Sequence, residues 1–172
     1  MRSIKVLTAT AVCLLAFGGS AGAAGKQRVV VDRFSEPYAF AIDCSSFGSH
    51  GFDNLVSGHQ SARITEVLAA DGTLLQTVVN TTFSETDTNS ASGATLGLKG
   101  SYHEVLDYTA NTRTLSGKVA LGTRPGGGTY IQEVGRITMA LDTFEPLFIA
   151  GPHDAFFAGG VDVPVCAALA EA

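Results

Sequence analysis

The stretch RITEVLAADGTLLQTVVNTTFS, Arg63 to Ser84, decides the fold. Ile64, Glu66 and Leu68 alternate with Thr65, Val67 and Ala69, the two-residue period of a strand with two different faces. Asp71-Gly72 follows inside Ala70–Thr73, and both residues accept the positive φ that a tight hairpin turn requires. The alternation then resumes, with Leu75, Thr77, Val79, Thr81 and Phe83 on one face. Strand, Asp-Gly turn, strand is a β-hairpin, and the remainder of the chain repeats its grammar.

Upstream, Arg28–Phe34 and Pro37–Cys44 read as two strands, the second with Tyr38, Phe40 and Ile42 on one face. Ser45–His59 reads as a loop. Downstream, Glu85–Gly93 reads as a polar loop and Thr95–Tyr108 as a strand carrying Leu96, Leu98, Tyr102, Leu106 and Tyr108 at one parity. Ala110-Asn111 turns into Thr112–Thr123, and Pro125-Gly126-Gly127-Gly128 separates that strand from Tyr130–Asp142. Leu147–Ala150 and Phe156–Val161 are shorter candidates, and Ala167–Ala172 has room for one helical turn. No amphipathic helix interrupts residues 26–160, and Thr, Val and aromatic residues dominate. The expected fold is all-β: an antiparallel up-and-down barrel of about eight strands, with a β-sandwich as the alternative.

The first residues serve a different purpose. Arg2 and Lys5 precede an apolar run from Val6 to Phe17, and Ala21-Gly22-Ala23 supplies small residues at a cleavage position. This is the pattern of a secretory signal peptide over residues 1–23, and the run is too short to span a bilayer. Residues 24–172 then form one exported domain. No later segment is apolar for long enough to span, because Asp162 and Pro164 interrupt Gly159–Ala170. The chain is 45% hydrophobic and 16% charged, which argues against disorder. Its net charge of −5 becomes −7 once Arg2 and Lys5 leave with the signal, which makes nucleic acid a poor partner. Export leaves Cys44 and Cys166, an even pair in an oxidising compartment, and a disulfide between them is expected. Two buried free thiols are the alternative. A Cys–Cys metal site has no His at the required spacing.

Several groups were weighed for chemistry. His50 and His59 with Asp53 share one loop, but their spacing matches no metal motif. His103 and Glu104 are strand neighbours and must face opposite sides. If Leu98, Tyr102 and Leu106 point inward, Glu104 enters the barrel with them as a candidate acid. The favoured alternative is a strand end near the rim where its carboxylate stays wet, and Glu66 and Glu133 carry the same two readings. His153-Asp154, after Gly151-Pro152, reads as a turn whose Asp bonds backbone rather than as a general base. Gly126–Gly128 has neither the helix nor the Lys of a phosphate loop. Asn80-Thr81-Thr82 is a glycosylation sequon within a strand. No cofactor, metal or catalytic set follows from these residues.

The runs Arg124-Pro125-Gly126-Gly127-Gly128, Gln132-Glu133-Val134-Gly135-Arg136-Ile137 and Gly151-Pro152-His153-Asp154, with Val165-Cys166-Ala167-Ala168-Leu169, resemble a group of small secreted actinobacterial proteins with one early and one late Cys. That resemblance implies export and no particular activity. The strand, Pro-Gly-Gly-Gly, strand order is also similar to lipocalin-like and allene-oxide-cyclase-like barrels, which include dirigent proteins and barrel cyclases. Function does not follow from such a likeness.

The expected role is binding of a small hydrophobic molecule inside the barrel. Ile64, Val79, Leu98, Tyr102, Val119, Ile137 and Met139 offer apolar inward faces for it. A cyclase or isomerase acting on a small organic substrate, and a structural or cell-surface protein, are the other readings. Gly97, Gly100, Gly117 and Gly135 lie within strands and either bend the sheet or open space inside it. Cleavage after Ala23 or Ala24 is the direct expectation from residues 1–25: mass spectrometry of the exported form should find Ala24 or Gly25 at the N-terminus, and a start elsewhere removes the signal assignment.

Overall fold

The computed structural model describes residues 25–48 and 50–172, so the signal segment 1–23 lies outside the described residues. Seven strands run in sequence order: β1 Gln27–Asp43, β2 Asp53–Leu68, β3 Leu74–Asn89, β4 Thr95–Asp107, β5 Thr112–Thr123, β6 Thr129–Ala140 and β7 Pro146–Ala150. Each pairs antiparallel with its sequence neighbours in one sheet. A hairpin forms around Asp71-Gly72, with Ile64 opposite Val79, but only Gly72 takes a positive φ (+86°), and the connection spans Ala69–Thr73.

Three boundaries differ from the sequence reading, each for a physical reason. The two strands expected before Cys44 are one strand, β1. It lies at the sheet edge, where Pro37 is tolerated because only one side of the strand must bond. The second half of the expected loop, Asp53–His59, is the start of β2, whose Asn54 is buried against Asp87. The polar stretch after Ser84 extends β3 to Asn89, with Asp87 and Asn89 buried instead of facing water.

The barrel does not close. Among the described residues the order ends at β1 and β7, which do not pair, so this seven-stranded sheet is not closed. The segment Phe156–Val161, a short candidate strand in the sequence, instead contributes to helix α1, Asp154–Ala158, and to the turn into α2, Asp162–Ala170. Two features stop the chain from continuing as strand. Gly159 adopts the left-handed conformation, and the amides of Gly159 and Gly160 bond back to Phe156 and Ala155, a Schellman ending. Pro164 stands in the first turn of α2, where its missing N–H costs nothing.

The helices pack across one end of the inner face. There Leu96, Leu98, Ala120 and Ile131 of the sheet meet Ala155, Val165, Ala168 and Leu169. Cys44, in a 3₁₀ turn after β1, is disulfide-bonded to Cys166 of α2. The Asn89 side-chain amide donates to the Leu169 carbonyl at 3.2 Å. Glu133 of β6 anchors α1: its Oε2 accepts the backbone N–H of Ala155 at 2.9 Å and of Phe156 at 3.2 Å. Its Oε1 meets His153 Nδ1, and both side chains are buried. His153 Nε2 lies 3.2 Å from the Ala150 carbonyl.

Glycines on the inner face take large rings from the same or a neighbouring strand. A Cβ at Gly100 would lie 2.2 Å from Phe83 Cε1, at Gly122 2.3 Å from Tyr130 Cζ, and at Gly58 2.8 Å from Tyr38 Cζ. Gly135 is different. Its φ of +133° is closed to most side chains, and a Cβ there would meet the Ala150 carbonyl oxygen at 2.0 Å. It lets the end of β7 press against β6 before the chain turns into α1.

Two substitutions test this anchoring. Replacing Cys166 with Ser should cost about 2–5 kcal/mol in urea unfolding, since the bond closes most of the folded chain. Glu133→Ala should cost about 3–5 kcal/mol, because it strands His153 in the core and uncaps α1. A loss under about 1 kcal/mol for either would show that the helices hold without it.

Candidate functional site

A groove of about 470 Å³ opens on the inner face beside α2. Tyr38 and Phe40 of β1 form one wall, and their rings stack at 5.9 Å. Phe83, Leu98, Tyr102, Val119 and Ala120 continue the lining, Val161 closes the helical side, and Gln60 and Glu85 supply the polar atoms. Gly58 explains the geometry. Tyr38, Gly58 and Glu85 stand opposite one another on β1, β2 and β3. The missing side chain on the middle strand lets the phenol cross it and donate its O–H to the Glu85 carboxylate.

Behind Glu85 the site is acidic. Asp87 is buried, and its Oδ1 accepts from Asn54 Nδ2 at 2.7 Å. Asn54 is fixed in turn by the Thr88 amide, which donates to its Oδ1 at 3.1 Å. Asp87 Oδ2 and the Tyr130 hydroxyl are buried without a hydrogen-bond partner. Burial pushes Glu85 above the ordinary carboxylate range; the Tyr38 bond opposes this, and the charges of Asp87 and Asp162 add to it. Asp87 is raised by burial, against the Asn54 bond, and further by Asp162. Asp162 is raised by burial. The phenols of Tyr38 and Tyr130 are raised as well, chiefly by burial and then by these acids. The groove thus presents neutral O–H groups at the acidic end of an apolar wall over a wider pH range than free side chains would.

Of the seven residues read as an apolar lining, Leu98, Tyr102 and Val119 line this groove. Ile64, Val79 and Ile137 share one row of the inner face, together with Glu104 and Leu115, and Met139 lies in the next row opposite Arg113. Those four stand beyond the groove, and Ile137 and Met139 are buried. Val119 reaches the groove through a bulge, because two residues of β5, Val119 and Ala120, oppose Gly100 alone. The sequence reading missed Glu85 and Asp87 because a strand end with polar residues on its buried face looks like a loop. The parity of Tyr38 and Phe40 was the available signal for the aromatic wall.

Most of the other candidate groups meet local partners, while Glu66 stands on the inner face opposite Thr77. Glu104 faces inward and its Oε1 accepts from Arg113 Nε at 2.6 Å, so an adjacent cation satisfies it. His103 faces the opposite side and bonds Asn80 Oδ1 at 2.9 Å. Asp154 accepts the Gln132 amide at 3.1 Å, while His153 turns to Glu133 rather than to its sequence neighbour. Both His153 ring nitrogens face protein oxygens, and the side chain is buried. His50 packs on Phe52 at 5.9 Å, and His59 stands opposite Ser84 on the outer face. Among the described residues no three His, Cys, Asp or Glu side chains gather to hold a metal ion, and no helix is long and apolar enough to cross a membrane.

Comparison with protein-family models, with curated protein sequences and with solved structures finds no match to this chain.

The raised acids fix the sign of a pH effect. A carboxylate with a higher pKa folded than unfolded holds its proton better in the folded state. Its contribution is present at low pH and is lost as pH rises through the folded value. Glu85, Asp87 and Asp162 should therefore make stability fall as pH rises from the ordinary carboxylate range toward neutrality. Asp87→Asn keeps the oxygen that Asn54 needs and removes the charge. Thermal melts from pH 4 to 8 should show a smaller decline in this variant than in the parent chain, and an unchanged decline would mean that Asp87 is already neutral or well solvated.

Proposed function

We propose that the chain is an exported binding protein whose inner-face groove takes a small, mainly apolar molecule bearing one hydrogen-bonding group. The observation that carries this reading is a groove of about 470 Å³ that pairs an aromatic and aliphatic wall with few polar groups, Gln60 and the Glu85 carboxyl bonded to Tyr38. Ligand sites combine apolar lining with a few fixed polar groups in this way. Support for export comes from the signal-like residues 1–23 and from the Cys44–Cys166 bond, which persists in oxidising compartments. A closed barrel is not required, because an open sheet with helices across one end still leaves a concave face.

A second reading is favoured by one feature. A carboxyl held above its ordinary range beside a phenol is the arrangement a cyclase or isomerase uses to polarise a carbonyl or epoxide oxygen. The two readings differ in what Glu85→Gln removes: an acid catalyst loses its proton donor, while a binding site keeps a neutral hydrogen-bonding group of the same shape.

Nile red, a neutral solvatochromic dye, should bind the native protein at one saturable site and shift its emission to the blue. Leu98→Trp should weaken that binding by about tenfold or more, since one filled contact is worth about 1–3 kcal/mol, while the melting profile stays cooperative. Saturable binding unaffected by this change places the dye elsewhere, and no saturable binding leaves a structural or surface-interaction role.

A further inference from the structure

The two faces of the sheet carry opposite charge. Cross-strand register places Asp32, Glu36, Glu66, Glu85, Asp87, Glu104 and Glu133 on the inner face. It places Arg28, Arg33, Arg63, Lys99, Lys118 and Arg136 on the outer face. Arg113 is the one strand cation on the inner side, and it is paired with Glu104. Outer-face acids stand only at the sheet's two ends, as Asp43, Asp53 and Asp107. A chain of net charge −5 therefore has one cationic face.

Two adjacent rows cross the middle of that face. One runs Arg33, Arg63, Asn80, His103, Ser116, Arg136, and the other runs Ser35, Ser61, Thr82, Ser101, Lys118. Between them lies a shallow groove of about 460 Å³, lined by Arg63, Asn80, His103 and Ser116 of one row, by Ser61, Thr82 and Ser101 of the other, and by Ala62, Thr81 and Tyr102 between them. Arg33, Arg136 and Lys118 stand outside it along the same rows. Arg33 and Arg63 stand directly opposite each other, an arrangement that costs stability because like charges face across the strands. Among the described residues none of the six cations is within ion-pair distance of a carboxylate. Arg136 is steadied from below instead, its guanidinium 5.6 Å from the Phe148 ring.

We propose that this outer face binds an acidic polysaccharide laid across the strands, with its anionic groups on Arg33, Arg63 and Arg136 and its hydroxyls on the Ser, Thr and Asn side chains between them. Arginine forks match carboxylate and sulfate oxygens in pairs. Arg63 on β2 and Arg136 on β6 are separated by four strand spacings, roughly 19 Å along the sheet. One small anion cannot bridge that span, and an oligomer can. Between the arginines the rows carry Asn, His, Ser, Thr and Lys side chains, with Val134 opposite Lys118 and the Phe148 ring beside Arg136 at the β6–β7 side. Hydroxyls set between cations match a charged sugar polymer more fully than one ring and one valine match a run of stacked bases or a membrane.

The test titrates the full exported chain with a polygalacturonate decamer, a neutral maltodextrin of equal length, a single-stranded DNA decamer and vesicles containing phosphatidylglycerol. Saturable binding of polygalacturonate is expected, with no binding of maltodextrin. Raising salt from about 50 to 200 mM should weaken it by about tenfold or more. Arg63→Glu and Arg136→Glu should each reduce affinity by about tenfold, while Glu36→Gln on the inner face leaves it unchanged. Arg63→Glu should also melt no lower than the parent chain, because it turns the Arg33–Arg63 repulsion into an attraction; a lost site in a destabilised protein would not show this combination. Failure of polygalacturonate to bind, affinity indifferent to Arg63 and Arg136, or tighter binding of DNA or of vesicles overturns the proposal.

Discussion

The Glu133 carboxylate decides what the C-terminal third of the chain can become. One oxygen holds the first amides of α1 and the other holds His153, all away from water. Where an eighth strand would have closed the sheet, this carboxylate starts a helix. Everything on that side follows from it. The Gly159-Gly160 turn directs α2 back across the inner face, Leu169 and Val165 complete the core, and Cys166 reaches Cys44. Val161, which closes the groove, and Asp162, which raises the groove's acids, occupy the junction of the two helices.

The groove itself works against stability. Asp87 is buried with one oxygen unpartnered, and Glu85 and Asp162 add like charge nearby. A fold seeking only stability would place apolar residues in this part of β3. Their presence beside an aromatic wall is a local conflict between packing and polarity, and the proposed binding role rests on it. The cost is offset at the same end of the sheet by the disulfide, the packed helix face and the rings seated over glycines.

The class of fold was legible because alternation and turn chemistry agree. The Asp71-Gly72 hairpin, the Pro125–Gly128 turn and the parity of Leu96, Leu98 and Tyr102 all gave the antiparallel meander, and the disulfide followed from cysteine arithmetic. Closure was not legible. Phe156 and Phe157 look like strand residues by propensity, and the Glu133 carboxylate that accepts the first amides of that helix is a tertiary partner the sequence does not display. The same limit applied to the groove: the parity of Tyr38 and Phe40 was visible, but Glu85 and Asp87 look like loop residues until their neighbours across the sheet are known. Net charge hid the cationic face for a similar reason. Charges sorted by strand parity cancel in a sum, although they stand on opposite sides of the sheet.

An open sheet leaves β1 with seventeen residues whose outer backbone groups meet no strand. Such an edge is a template on which a second chain could extend the sheet. Pro37 removes one N–H from the row, and the bulge at Val31 breaks its regular spacing. Arg28, Asp32, Arg33 and Glu36 place charge of alternating sign along its length. The chain can therefore forgo a closing strand, keep its inner face accessible, and still deny a neighbouring copy a straight, uncharged edge to pair with.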